Sequence, residues 1–239
     1  MSNKSHKPHK HMHPHHKHED ELPDPDEEEP SRFKGPVKYI LAVFLVLLMV
    51  VMIFPIYSVK LDPTPKEVPT RMDILSILPQ QYNEQKIEYG SKQDYHRFVT
   101  PTDSTTKRMA TRIASASCES GKRVCHAKAL YEFVRDEIDY VADPVGKEYV
   151  ETGHELILNG GGDCESGTLL LASLMEAAGI NAQLVFIPGH AFLRIKLPEA
   201  VNRYKMDEDW VYLDWTCSNC EFGEIPWKNI DKEASYMDV

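Results

Sequence analysis

Positive charge is too scarce in this chain for one large class of functions. Against 37 Asp and Glu it carries 27 Lys and Arg, a formal net charge of −10. The soluble part has no basic stripe with interleaved aromatics, so no nucleic acid is expected among its partners. Cysteine is absent from the first 117 residues, apolar residues are almost absent from 1–36, and charge is absent from 39–59. No internal repeat is apparent, which sets aside repeat architectures.

Each gap bounds a segment. Residues 1–36 hold seven of the eleven histidines and then turn acidic. With so little apolar surface to bury, this tail is expected to be disordered. Its imidazole density makes it a candidate for fluxional binding of Zn, Ni or Cu, against the plainer reading of a solvated tail. Tyr39–Val59 then runs 21 residues without a charge, about 31 Å of helix against a bilayer core of about 30 Å. No A-x-A cleavage pattern follows it, so residues 37–59 are expected to form an uncleaved transmembrane signal anchor that takes the lipid bilayer as partner. Arg32, Lys34, Lys38 and four lysines further upstream outweigh Lys60, Lys66 and Arg71. That balance puts the N-terminus inside and the C-terminal part outside the cytoplasm. The position of all five cysteines beyond the anchor agrees with an oxidising exterior.

The soluble part begins with "KLDPTPKEVPT", whose three prolines read as a stiff stalk; residues 60–99 are expected to be this stalk and a packing arm. From 100 to 239 helices come first and strands later. Met109, Ile113 and Ala116 share a face, and Ala127, Leu130, Phe133, Val134 and Ile138 form a second helical stripe. A third helix starts after Gly162 with Asp163 as N-cap and has Leu170, Leu171, Leu174 and Ala178 on one side. "NAQLVFIP", "AFLRIKL" and "WVYLDWT" carry the β-branched and aromatic content of strands. Helices followed by strands make an α+β domain.

Chemistry concentrates at "GGGDCESG". Cys164 would be the first helical residue, where the helix dipole and free N–H groups lower a thiol pKa. The preceding glycines let a substrate backbone come close, and the backbone N–H of Cys164 is a candidate oxyanion donor. Alone, the stretch also fits a metal or disulfide cysteine, or a small buried residue. His190 follows a Pro-Gly turn at a strand start, and Asp214 closes the next strand among apolar residues. A buried acid there needs a partner, and the histidine is the nearest candidate. Cys164, His190 and Asp214 in that order form a nucleophile, base and orienter set.

With these residues in view, "GGGDCESGTLLLASLMEAAGINAQLV", "PGHAFLRI" and "WVYLDWT" resemble the three motifs of the transglutaminase-like superfamily, within the broader papain-like cysteine enzymes. "ALYEFVRDEIDYV" resembles the helix and strand that precede the nucleophile there. The match covers about residues 100 to 217 and, with Gly and Asp before the cysteine, is similar to many microbial members. It implies Cys164 as nucleophile, His190 as general base and Asp214 as orienting acid. It also implies a papain-like core of N-terminal helices packed on an antiparallel sheet, behind one transmembrane helix. Glu165 stands where the animal cross-linking enzymes carry tryptophan, and their calcium sites and extra β-domains have no counterpart in this length. Hydrolysis of a peptide or protein amide, or acyl transfer through a thioester, is therefore expected, with no cofactor required. An inactive domain that binds peptide or cell-envelope polymer is the alternative, and a metal-handling protein built around the His-rich tail is a third class.

Four cysteines remain. Cys118 and Cys125 bracket a turn, and Cys217 and Cys220 form "CSNC". Disulfides, local or crossed, are expected in an exterior domain; a four-cysteine zinc site is the rival. His96, His126 and His154 are read as structural or solvated.

Overall fold

The structure is a computed structural model and describes residues 35–79, 92–144 and 149–239, the side chains of 54–61 excepted. The His-rich tail lies outside the described residues up to position 34. Two units make up the chain, one ending at Val50 and the other running from Val51 to Val239.

The first helix, α1, spans Val37–Leu61, and its described apolar side chains are exposed. Among the described residues, no helix is long and apolar enough to cross a membrane. This corrects the expected transmembrane anchor over 37–59, the bilayer as its partner, and the reading of a core behind one transmembrane helix.

The second unit opens with the proline segment, which is tied to the domain. Lys66 N–H donates to Ser117 O at 2.9 Å, Val68 packs against the core, and Asp62 accepts from the buried Lys128 Nζ at 2.5 Å and from Tyr204 Oη at 2.7 Å. Helix α2 (Arg71–Ile77) follows, capped by Thr70 and Asp73 bonding each other's backbone, and it buries Ile74. A 3₁₀ segment at Lys92–Phe98 buries Tyr95 and Phe98.

Helix α3 (Ser104–Ser117) starts where Asp103 accepts from Thr105 and Thr106 N–H. It buries Met109 and Ile113, with Ala110, Ala114 and Ser117 completing the face, while Ala116 is exposed. Helix α4 (Arg123–Glu137) buries the expected stripe of Ala127, Leu130, Phe133 and Val134. The short strand β1 (Asp139–Tyr140) comes next, then α5 (Gly153–Asn159) and β2 (Gly161–Gly162), which pairs in parallel with β1. Helix α6 (Cys164–Ala177) is buried nearly all round, because it contacts α3, α4, α5 and the two strands that follow it. A helix walled in on every side carries apolar residues on every face, and Leu169, Leu170, Leu171, Leu174 and Met175 supply them. Ala178 is its C-cap and is half-buried.

Strands β3 (Ala182–Ile187) and β4 (His190–Lys196) form a hairpin across the Pro188–Gly189 turn, with Ile187 opposite His190. Strands β5 (Lys205–Asp207) and β6 (Trp210–Leu213), the short helix α7 (Trp227–Ile230) and β7 (Ser235–Asp238) complete the chain. The five-stranded antiparallel sheet runs in the order β5-β6-β4-β3-β7. The α+β core of helices on an antiparallel sheet is thus present.

Cys118–Cys125 and Cys217–Cys220 are disulfides, the local pairing. The zinc rival is corrected accordingly, since bonded sulfurs offer no thiolate to a metal. Among the described residues no group of three or more His, Cys, Asp or Glu could hold one. Loops this short contribute about 2 kcal/mol each by the chain-entropy account.

The Asp62–Lys128 contact generates a prediction. Burial works against the charged Asp62, but the hydrogen bonds from Lys128 and Tyr204 and the charges of Lys128 and Arg203 outweigh it and hold the carboxyl below its usual range. A depressed folded pKa gives stability that is present above the unfolded value and lost as pH falls through the folded one. Lys128→Ala is expected to lower unfolding free energy by about 3 kcal/mol in denaturant melts at pH 7. The deficit should shrink as pH falls below about 4, where Asp62 becomes protonated in the unfolded chain.

Candidate active site

The start of α6 is built as the residue types dictate. Asp163 caps it by accepting from Ser166 N–H at 2.8 Å, and Cys164 is the first helical residue. Ahead of it, Val141 N–H beside β1 donates to Gly162 O at 2.8 Å, which seats the glycine loop. Gly162 differs from the expected opening for a substrate. A Cβ there would lie 2.4 Å from Leu156 Cδ1 and 2.6 Å from Glu151 Oε2. The protein's own side chains occupy that space, so glycine serves close packing.

Cys164 is the free cysteine, and it is buried with 8% of its surface exposed. Its Sγ donates to Glu165 Oε2 at 2.7 Å. The backbone N–H of Ala191, next to His190, acts on the sulfur in the direction of a lower pKa. The helix dipole and this N–H favour the thiolate. Burial opposes it most, followed by the hydrogen bond to Glu165 and the Glu165 and Asp163 charges, and the thiol is pushed up to about 12. The resting sulfur is therefore a neutral S–H, contrary to the lowered pKa that its helix position leads one to expect. Burial also raises Asp163, Glu151 and Tyr140, the last with the Cys164 sulfur as its next cause.

On the sheet, His190 and Asp214 meet directly. His190 Nε2 and Asp214 Oδ2 are 2.8 Å apart, and the carboxylate is fully buried. The β4–β6 register pairs Leu193 with Leu213, so the next step brings Asp214 level with Phe192, diagonal to His190. Asp214 Oδ1 accepts from Thr216 N–H at 3.2 Å and Thr216 Oγ1 at 2.8 Å. Its carbonyl accepts from Cys217 N–H at 3.2 Å and from the Tyr131 hydroxyl at 3.3 Å. Tyr131 also reaches Cys220 O at 3.2 Å, beside Arg135 Nη1 at 3.1 Å. Helix α4 and the Cys217–Cys220 loop thus hold the acid from behind.

All three expected site residues therefore come to one end of the sheet. The thiol hydrogen bond goes to Glu165, and His190 bonds Asp214. His96, His126 and His154 are elsewhere: His96 Nδ1 bonds Gln93 O in its own turn, His126 lines a separate cleft beside Cys118, and His154 is buried in α5.

Two residues were missed from sequence. Trp215 Nε1 donates to Cys164 O at 3.3 Å and its ring lies 6.3 Å from Tyr140, joining the end of β6 to the turn that carries Cys164. A Cβ on Gly167 would stand 2.2 Å from the Trp215 ring, so only glycine lets the indole lie on α6. A glycine inside a helical pattern was the available signal for that close approach. The second is Glu165, whose bond to the thiol depends on side-chain placement rather than sequence spacing.

The model of the Transglutaminase-like superfamily matches residues 107–215. No curated protein matches the chain. Two solved structures are similar to it. One is a "putative protease" from Parabacteroides distasonis, 14% identical over 45% of this chain and 22% of its own, with a TM-score of 0.35. The other is a "putative cysteine protease" from Cytophaga hutchinsonii, 14% identical over 62% of this chain and 54% of its own, with a TM-score of 0.39. The chain thus spans less than two thirds of either.

Two outcomes follow from the contacts. Glu165→Gln removes the charge that holds the thiol proton. It is expected to raise the iodoacetamide alkylation rate of Cys164 at pH 8 by about threefold or more, with the whole pH profile moved to lower pH. Gly167→Ala forces the indole off α6 and should cost about 2 kcal/mol in denaturant melts, with a shift in tryptophan emission as Trp215 moves.

Proposed function

We propose that this chain, whose residues 107–215 match the model of the Transglutaminase-like superfamily, is a cysteine-dependent enzyme that opens a peptide or protein amide through a thioester on Cys164. One observation carries the reading: at the start of β4, His190 is bonded to the fully buried Asp214 carboxylate, and Trp215, the residue after that acid, donates to the carbonyl of the free cysteine Cys164.

The steps follow from the bonds already made. With Nε2 engaged by Asp214, Nδ1 of His190 is the ring nitrogen left to act as base. The thiol turns from Glu165 and passes its proton to Nδ1, and the buried Asp214 stabilises the imidazolium that results. The sulfur attacks the amide carbon and a C–S bond forms. The carbonyl oxygen becomes an oxyanion, for which the Cys164 N–H is the donor, since the first N–H groups of a helix have no intrahelical acceptor. Collapse breaks the C–N bond, and the amine leaves with the proton from His190. Water, or an acceptor amine, then gives its proton to His190 and displaces the sulfur, which completes hydrolysis or transfer.

The working compartment is proposed to be outside the cytoplasm. Two disulfides beside one free thiol support this, because such bonds persist in oxidising surroundings.

Cys164→Ala and His190→Ala are each expected to reduce amide turnover by about 10³-fold or more, and Asp214→Asn by about 10²-fold or more. Mass spectrometry of the wild-type protein quenched in acid should trap the acyl-enzyme on Cys164. Undiminished turnover in Cys164→Ala would sink the assignment. Peptide binding with no acyl-enzyme under any condition would favour a binding domain instead.

A further inference from the structure

A cleft of about 520 Å³ opens beside His190. Its walls include His190, Asp214, Ser218, Asn219, Lys228 and Lys232, and Cys164 is not among them. The cleft therefore borders the imidazole, with Tyr140 as its lining residue on the thiol's side.

Its charge is unlike that of the rest of the chain. Asp214 is fully buried, with its oxygens engaged by His190 and Thr216. The exposed charges on the walls are those of Lys228 and Lys232. Among the described residues neither is paired with a carboxylate. Lys232 Nζ is steered by Asn229 Oδ1 at 3.0 Å, and Asn229 is buried. In a protein of net charge −10, two unpaired cations on one wall make a local positive field, and a cleft concentrates it. Asn and Ser side chains beside them add neutral hydrogen-bonding groups. Around the thiol the sign is reversed, with Glu165 and Asp163 at the sulfur.

The position of the cleft, lined by His190 and not by Cys164, assigns the part of the substrate that enters it. His190 gives its proton to the departing nitrogen, so the amine half of the amide must lie on the imidazole's side of the carbonyl. The acyl half stays with the sulfur. We propose that this cleft is the leaving-group subsite and takes an amine half that bears a carboxylate, bound by Lys228 and Lys232. The substrates are then amides close to a peptide's free C-terminus, or amides whose leaving half carries an acidic side chain. This assignment rests on the cysteine-enzyme reading above.

The test uses the oxidised full-length protein and three pools of N-acetylated tetrapeptides. One pool has neutral side chains and a free C-terminal acid. The second is the same with a C-terminal carboxamide. The third is the carboxamide pool with Asp or Glu in the last two positions. Initial rates are read by mass spectrometry. The wild type is expected to prefer the free-acid pool to the neutral carboxamide pool by about tenfold or more, with the preference reduced in 0.5 M NaCl. Lys228→Gln/Lys232→Gln should bring the ratio near one through a raised KM for acids. The third pool tells which carboxylate is read. If it matches the first, the source is either end or side chain; if it matches the second, the source is the terminus alone.

A ratio near one in the wild type, or one unchanged in the double variant, overturns the subsite. Cleavage of no pool would count against the enzymatic reading, and the subsite is then judged by protection of Cys164 from iodoacetamide. Slower alkylation with the free-acid pool than with the carboxamide pool, in the wild type but not the variant, upholds it. Equal protection by the two pools overturns it.

Discussion

A carboxylate with no exposed surface is the constraint around which this molecule is arranged. Removing Asp214 from water costs several kcal/mol unless its charge and lone pairs are satisfied. The protein satisfies them from three directions, with His190 on one oxygen and two Thr216 donors on the other. Each donor fixes a piece of chain. His190 must be the first residue of β4, which requires the hairpin turn at Pro188–Gly189. Thr216 must bend back immediately after β6, and the Cys217–Cys220 bridge closes the loop that lets it do so. The Tyr131 hydroxyl, from the helix layer, joins Asp214 O to Cys220 O. Loss of His190 or Thr216 would leave a buried charge under-satisfied, and loss of Tyr131 would free the backbone carbonyl behind it, so the sheet end, the disulfide loop and α4 meet at one residue.

The environment of Cys164 obeys an opposing balance. A thiol at a helix N-terminus gains from the dipole, an effect of about 0.3–1 kcal/mol at ordinary exposure. That gain is too small to offset burial together with an adjacent carboxylate in direct contact. The same segment thus supplies both the device that favours the thiolate and the one that withholds it. Trp215 makes the difference structural: its indole covers the first turn of α6 and bonds the Cys164 carbonyl, which keeps water from the sulfur's backbone.

Much of this was legible in the sequence where the determinants are local. Asp103 and Asp163 announce helix starts through their capping chemistry, and the stripe from Ala127 to Val134 follows the helical period. The order of Cys164, His190 and Asp214 on a helix start and two strand ends could be placed from pattern alone. What escaped depends on contacts between distant positions. Asp62 and Lys128 are 66 residues apart, and β7 joins the sheet beside β3 from the far end of the chain. No periodicity reports either. The Gly167–Trp215 contact joins two residues whose motifs were each visible, but their distance was not. The apolar run at α1 shows the converse error. Apolarity alone implied a membrane crossing, while among the described residues no helix is long and apolar enough to make one.

The neutral thiol explains how a free cysteine coexists with two disulfides. Exchange and oxidation proceed through the thiolate, so their rate follows the thiolate fraction and the access to it. Cys118–Cys125 links the end of α3 to the start of α4, and Cys217–Cys220 closes a loop beside the site. Either would be open to attack by an exposed, ionised sulfur. Cys164 is buried, protonated and held against Glu165. It exposes little thiolate. A raised resting pKa therefore keeps the one free sulfur out of the chemistry that forms the other two bonds.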